Sequence, residues 1–419
     1  MYDQSFNLVS ISRMLRKSDF LNAPRLRSQN IRAQAITDAV ERVNQGFANS
    51  TFLSKAKVKN KFIYRITSFS DELVLRKIDA NIKRSIKIPS ASRDSIIANI
   101  RSLLSEGVAY RVYRLDVKSF YESFSASEII ASISNIPKLS PLTKRMAGEI
   151  LRHHGNSGGL GVPRGLALSA TLSEIMMLPF DTKIRETAGV FFYSRYVDDI
   201  IIITGGNEVE SKFIEAISES LPTGLYLNNN KTKIQTASKN VLPFQSIQPP
   251  PNVLEFEFLG YQFTVCEPPK SDDRQPFRVV HLDIADSKVK KIKTRVTRAL
   301  ISYCKNRDFD LLETRLKFLT SNFSVLDADR ERKRLAGIFY NYHRVDSNSS
   351  RALKELDNYL KKLALSGRGT VFDDFFCKTT VAQRRRLLRF SFDRGFREKT
   401  FMHFSRETLK LVQECWMYA

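Results

Sequence analysis

Val190-Phe191-Phe192-Tyr193-Ser194-Arg195-Tyr196-Val197-Asp198-Asp199-Ile200-Ile201-Ile202-Ile203-Thr204 reads as two β-rich runs on either side of a turn. The turn carries two adjacent carboxylates. Like charges at a hairpin tip repel and add nothing to the fold, so they make sense where a divalent cation neutralises them. An Asp-Asp pair alone serves equally well as a turn element. Here the apolar runs on both sides bury its surroundings, which favours the cation. Working outward, Tyr110-Arg111-Val112-Tyr113-Arg114-Leu115-Asp116-Val117 alternates as a strand and delivers a third carboxylate at its end. On its own Asp116 could also be the N-cap of the segment that follows.

The remaining pattern is mixed. Helical periodicity covers residues 127–135, 141–154, 167–188 and 211–221, with an interruption or bend expected near Pro179. Lys61–Ile66 reads as a strand, Leu242–Val253 as a Pro-rich loop, and Glu255–Val265 as a hairpin strand. Residues 1 to about 60 look helical and basic, and the chain from about 281 onward looks mostly helical. That last part holds 30 Lys and Arg against 17 Asp and Glu, so it carries +13 of the formal +23. Such an excess points to a polyanionic partner, nucleic acid before a membrane surface. The cysteines, Cys266, Cys304, Cys377 and Cys415, are scattered without a C-x-x-C pair, which fits a reducing cytoplasm. The N-terminal residues lack the apolar core of a signal peptide, and no run reaches the roughly 20 apolar residues of a bilayer span. No membrane partner is expected.

Asp116, Asp198 and Asp199 together could hold two Mg²⁺ ions roughly 3.5–4 Å apart. One ion would activate a primer 3′-hydroxyl and the other would hold a triphosphate. Val117 is placed with the metal ligands, and Mn²⁺ is an alternative ion. In this arrangement the chain resembles the reverse transcriptase family. Asp116 with its following aromatics looks like the first palm motif. Gly161-Val162-Pro163-Arg164-Gly165 with Ser169 resembles the second, which supports template and incoming nucleotide. Tyr196 to Asp199 resembles the Y-x-D-D box. Leu227-Asn228-Asn229-Asn230-Lys231-Thr232 resembles the fourth motif, whose lysine lies near the triphosphate, and Phe258-Leu259-Gly260-Tyr261 the primer-gripping fifth. Five motifs in order are specific where each alone is weak.

The resemblance implies that Tyr121 blocks a ribose 2′-hydroxyl and that Arg84 and Arg93 clamp the triphosphate with Lys231. It also implies that Pro163, Arg164, Gly165, Ser169, Tyr196, Leu259 and Gly260 contact template or primer. Bland readings remain beside these: a core tyrosine for Tyr121 and solvated charges for the two arginines. Arg164 stands where most retroviral and intron-type members of the family carry Gln. Pro163 to Glu174 is similar to the bacterial abortive-infection and defence-associated members, and Asp3-Gln4-Ser5-Phe6 resembles one partner of a paired antiviral system. The fold expected is α+β, a right-hand polymerase. Its parts are an N-terminal helical extension and fingers (1–100), an antiparallel-sheet palm (101–265) and a basic helical thumb (266–419). The expected function is RNA-directed DNA synthesis from dNTPs in the bacterial cytoplasm, copying a dedicated non-coding RNA in antiphage defence. A second reverse transcriptase or a higher-order oligomer is the implied partner. The alternatives are template-independent or protein-primed DNA synthesis by the same site, a catalytically silent RNA-binding scaffold, and an RNA polymerase, which Tyr121 argues against.

Overall fold

The chain divides into two units, Met1–Ile96 with Ala109–Ser238, and Ile97–Val108 with Lys239–Ala419. The structure is a computed structural model and describes residues 2–48, 50–58, 61–89, 91–238, 252–267, 277–327, 331–366 and 370–416. The chain is α+β, with antiparallel sheets.

The first unit opens with α1 (Leu8–Ser12), α2 (Lys17–Asn22) and α3 (Gln29–Gln45), then the hairpin β1 (Leu53–Val58) and β2 (Lys61–Ile66). Next come α4 (Phe69–Ser85) and α5 (Arg93–Leu104), the latter divided between the units. β3 (Tyr110–Asp116), α6 (Ala126–Ser134), α7 (Pro141–Asn156), α8 (Ala167–Arg185), β4 (Val190–Tyr196), β5 (Asp199–Thr204), α9 (Glu210–Ser220) and β6 (Lys233–Ala237) complete it. The strands form one antiparallel sheet in the order β4-β5-β3-β6. A strand covered on both faces needs a continuous apolar run. Ile200 to Ile203 supply one and are all buried, which seats β5 inside the sheet. Ser68, Ser125 and Ser140 cap α4, α6 and α7, each accepting the backbone N–H three residues on.

α8 runs on through Pro179, so of the interruption or bend expected there the interruption does not occur. A proline costs a helix a hydrogen bond. Here burial of Leu168, Leu172, Ile175, Phe180 and Ile184 along α8 offsets that loss. The N-terminal segment lies on α4. Lys77 Nζ donates to the Asp3 carbonyl at 2.6 Å and Asn81 Nδ2 to that of Gln4 at 3.1 Å.

The second unit begins with a three-stranded antiparallel sheet of β7 (Asn252–Phe258), β8 (Tyr261–Cys266) and β9 (Val279–Ile284). Of the expected Pro-rich loop, residues 242–251 lie outside the described residues, and Asn252 and Val253 already belong to β7. α10 (Asp286–Asn306) and α11 (Phe309–Thr320) follow, then the hairpin β10 (Asn322–Asp327) and β11 (Arg332–Gly337). The helices α12 (Arg351–Leu365), α13 (Thr370–Cys377), α14 (Val381–Leu387), α15 (Phe392–Arg397) and α16 (Arg406–Glu414) close the unit. The hairpin stands in a region read as mostly helical, where the Arg332-Lys333-Arg334 run hides the second strand. Fully buried Asn322 secures it, accepting from Phe339 N–H at 2.8 Å and donating to the Gly395 carbonyl at 3.1 Å. Among the described residues no helix is long and apolar enough to cross a membrane.

Candidate active site

Strand register brings the first carboxylates together. Asp116 ends β3 and Asp199 begins β5, and the two are direct partners across the ladder. Val117 N–H donates to the Asp198 carbonyl at 3.0 Å, so the hairpin tip is tied to the end of β3. Val197, at the tip, has φ +61°, a strained conformation for a β-branched residue. Arg195 holds it there, with Nη1 on the Val197 carbonyl at 3.0 Å. The Arg195 side chain is only 4% exposed and also binds Glu174 at 2.7 Å and Asp181 at 2.8 Å. Burial opposes its charge, but the bonds to Asp181 and Glu174 more than offset that and hold it protonated.

The fourth motif closes on Asp116. Lys231 Nζ donates to Asp116 Oδ1 at 2.8 Å and Asn228 Nδ2 to Oδ2 at 3.1 Å, while Asn228 N–H bonds the Asp116 carbonyl at 2.7 Å. The Asp116 side chain is buried, whereas that of Lys231 is 55% exposed and has room to swing. The bond to Asp116 pushes the Lys231 ammonium pKa up. Burial, then the charge of Asp198 and more weakly that of Asp116, push the Asp199 carboxyl up, against relief from Arg114 and Lys231. Among the described residues no three His, Cys, Asp or Glu side chains converge into a ready-made metal cage. The donor chemistry nonetheless fits a hard divalent cation: carboxylates only, with a surplus of negative charge felt at Asp199 and an ammonium already resting on Asp116.

The second motif packs on the first. Val162 N–H bonds the Tyr121 carbonyl at 2.9 Å, and Ser169 Oγ bonds the Pro163 carbonyl at 2.7 Å inside the core. Gly165 has φ +106°, and a Cβ there would lie 2.9 Å from the Tyr64 carbonyl, so the loop can approach β2 only without a side chain. Arg164 makes a two-pronged ion pair with Glu122, 2.9 Å on each prong, and its guanidinium lies 5.0 Å from the centre of the Tyr121 ring. Arg164 and Tyr121 both feel the charge of Asp198.

Tyr196 is exposed beside the carboxylates. Arg84 ends α4 with its guanidinium 4.0 Å from the centre of the Tyr2 ring, and Arg93 opens α5. Leu259 and Gly260 form the β7–β8 turn of the second unit, both at positive φ. Sequence reasoning gave no role to Glu122, Asn228 or the Arg195–Glu174–Asp181 cluster. Asn228 was within reach, since it precedes Lys231 inside the same motif. The partners of Arg164 and Arg195 depend on tertiary packing and left no mark in spacing.

Residues 57–263 match the family model described as reverse transcriptase (RNA-dependent DNA polymerase). The matched stretch, just under half of the chain, holds all five motifs. No curated protein matches. Solved structures similar to the chain include an apo telomerase of Candida tropicalis truncated from its C-terminal domain, at 14% identity, covering 56% of this chain and 58% of that one with a TM-score of 0.34. A telomerase of Candida albicans in complex with a TWJ fragment of telomeric RNA matches at 12% identity, over 87% of this chain and 61% of that one, TM-score 0.34. The corresponding complex of Candida tropicalis matches at 12% identity, over 94% and 68%, TM-score 0.35. The chain thus spans about three fifths of the first two.

Proposed function

We propose that this protein synthesises DNA on an RNA template by two-metal nucleotidyl transfer at Asp116, Asp198 and Asp199. The observation that carries this is the direct pairing of Asp116 with Asp199, Asp198 alongside, inside the matched domain. Bound Mg²⁺, or Mn²⁺ in its place, would supply acidity to the primer hydroxyl and neutralise the triphosphate. Asp116, the Val117 carbonyl, Asp198 and Asp199 would hold those ions. With those ions in place Lys231 would be free of Asp116 and its exposed head group would face the triphosphate, with Arg84 and Arg93 assigned to the same anion. Tyr121 lies against the sugar and excludes a 2′-hydroxyl. Pro163, Arg164, Gly165 and Ser169 shape the template side, and Tyr196, Leu259 and Gly260 the primer side. Residues 1–100 serve as extension and fingers, 101–265 as palm and 266–419 as basic thumb.

The biological reading is antiphage defence in a bacterial cytoplasm, with a non-coding RNA as template and a second reverse transcriptase or further copies of this chain as partners. Its support is the similarity of Pro163 to Glu174 to defence-associated enzymes and the +23 charge. Template-independent addition is the rival. It would use Arg164 to read a base edge, and the pairing of that guanidinium with Glu122 weighs against it. The test is to digest copurified RNA, remove the nuclease, and supply a primer and four dNTPs. Synthesis should stop and return when the RNA is added back. Undiminished synthesis from RNA-free protein would replace this reading with the rival.

A further inference from the structure

The backbones around Tyr121 are already fixed from both sides. Its carbonyl takes the Val162 N–H at 2.9 Å, and the Arg164 carbonyl takes the Tyr64 N–H at 2.8 Å. At Gly161 a Cβ would lie 2.1 Å from the Tyr121 carbonyl, so the two loops touch main chain to main chain. What the backbone leaves undecided is the rotation of the Tyr121 ring. Phe120 meets that ring edge-on, with centroids 5.3 Å apart at 79°, and Arg164 meets it at 5.0 Å. The guanidinium is in turn fixed in plane by both carboxylate oxygens of Glu122.

This ion pair is poorly placed to stabilise the fold. Its side chains are 24% and 29% exposed, where solvent screens most of the Coulomb gain. A planar, two-pronged pair is well suited to orienting what stacks on it. Burial pushes the Tyr121 phenol pKa up, so the ring presents a neutral face to the cation.

We propose that Glu122 and Arg164 are positioning residues that brace the Tyr121 ring beside Asp198, and that sugar choice depends on this brace. The second clause rests on the reading of Tyr121 as the sugar gate. The Arg at position 164 then has its reason in Glu122 across the loop. Freed of Glu122, the guanidinium swings into solvent and the ring gains a second rotamer.

The test places 3-fluorotyrosine at position 121 and records its ¹⁹F resonance in the wild-type chain, in Glu122→Gln, in Arg164→Gln, in the double variant and in the charge swap Glu122→Arg/Arg164→Glu. The same proteins without the label are assayed for kcat/KM with rNTP and dNTP on one primer–template. Either single change should shift or broaden the resonance, the second change should add little, and the swap, which restores an ion pair but sets a carboxylate in place of the guanidinium against the ring, should not recover the wild-type line. The rNTP:dNTP ratio should rise about tenfold in each single variant, the low end of what one steric contact in a pocket discriminates. An unmoved resonance in folded Glu122→Gln overturns the brace, as do additive effects of the two changes. Tyr121→Ala runs alongside. If it leaves the ratio unchanged, the gate reading falls and the claim on sugar choice with it, while the resonance still decides the brace.

Discussion

Replacing Arg195 by Met separates the stability of the catalytic hairpin from its aim. The substitution removes a charge that is 4% exposed and leaves Asp181, 14% exposed, and Glu174, 30% exposed, without it. Breaking a buried ion pair from one side costs about 3–5 kcal/mol. Glu174 can rehydrate and Asp181 keeps the Tyr193 hydroxyl at 2.5 Å, so the lower end, about 3 kcal/mol, is expected. Adding Glu174→Leu and Asp181→Leu removes the stranded charges and should restore stability to within about 1 kcal/mol, as apolar replacement of whole ionic clusters does elsewhere. Activity should behave differently. Val197, at φ +61°, loses the bond from Arg195 Nη1 that holds its strained turn, and Asp198 is the next residue. A shift of roughly 1 Å at a reacting centre costs about 100-fold in rate. The triple variant should therefore regain stability but not rate. Hydrogen exchange of the β5 amides reads the first quantity and single-turnover dNTP incorporation the second. A stability loss below about 1 kcal/mol in Arg195→Met, or a rate that returns with stability in the triple variant, would refute the reasoning.

Asp199 is raised by burial and by its acidic neighbours, so its charged form destabilises the fold at neutral pH and that penalty fades as pH falls through its folded pKa. Asp199→Asn should raise the thermal midpoint of metal-free protein at pH 7, read by a melt, and abolish dNTP incorporation when Mg²⁺ is supplied, read by primer extension. Neutralising Lys288, Lys290, Lys291 and Lys293 of α10 should weaken RNA binding and flatten its dependence on log salt, the slope falling by about one unit for each phosphate no longer neutralised. Lys288 and Lys290 should carry more of that effect, because Lys293 is committed to Glu355 at 2.5 Å, and an unaltered slope would make these lysines a solvated face.

The parts of the fold legible in the sequence are those where local pattern and tertiary environment agree. The run Ile200 to Ile203, short and β-branched, reads as a strand and is one, and Asp116 and the Asp-Asp turn fall at strand ends as expected. The helices α6 and α7 came out within two residues of their periodic apolar pattern. Elements that depend on distant partners stayed hidden. The second strand of the β10–β11 hairpin opens on Arg332-Lys333-Arg334, residues that suit an exposed helix, and the hairpin's anchor, Asn322, works through Gly395 more than 70 residues later. Pro179 looked like a helix breaker because its cost is local while the burial that offsets it is not. Around the site, the spacing of motifs located the carboxylates and Lys231, whereas the ion pair of Arg164 with Glu122 joins loops 42 residues apart. An arginine in place of glutamine was visible in the sequence, but its partner was not.

Incorporation of labelled dNTP on a defined RNA template and DNA primer, with Mg²⁺, compared between the wild-type chain and Asp198→Ala or Asp116→Ala, tests the assignment most directly. The wild type should extend the primer in an RNA-dependent way. Each variant should bind the same RNA, keep the far-UV spectrum of the fold and incorporate nothing, because each lacks one carboxylate of the site. Normal incorporation by either purified variant would contradict the placement of catalysis at Asp116, Asp198 and Asp199.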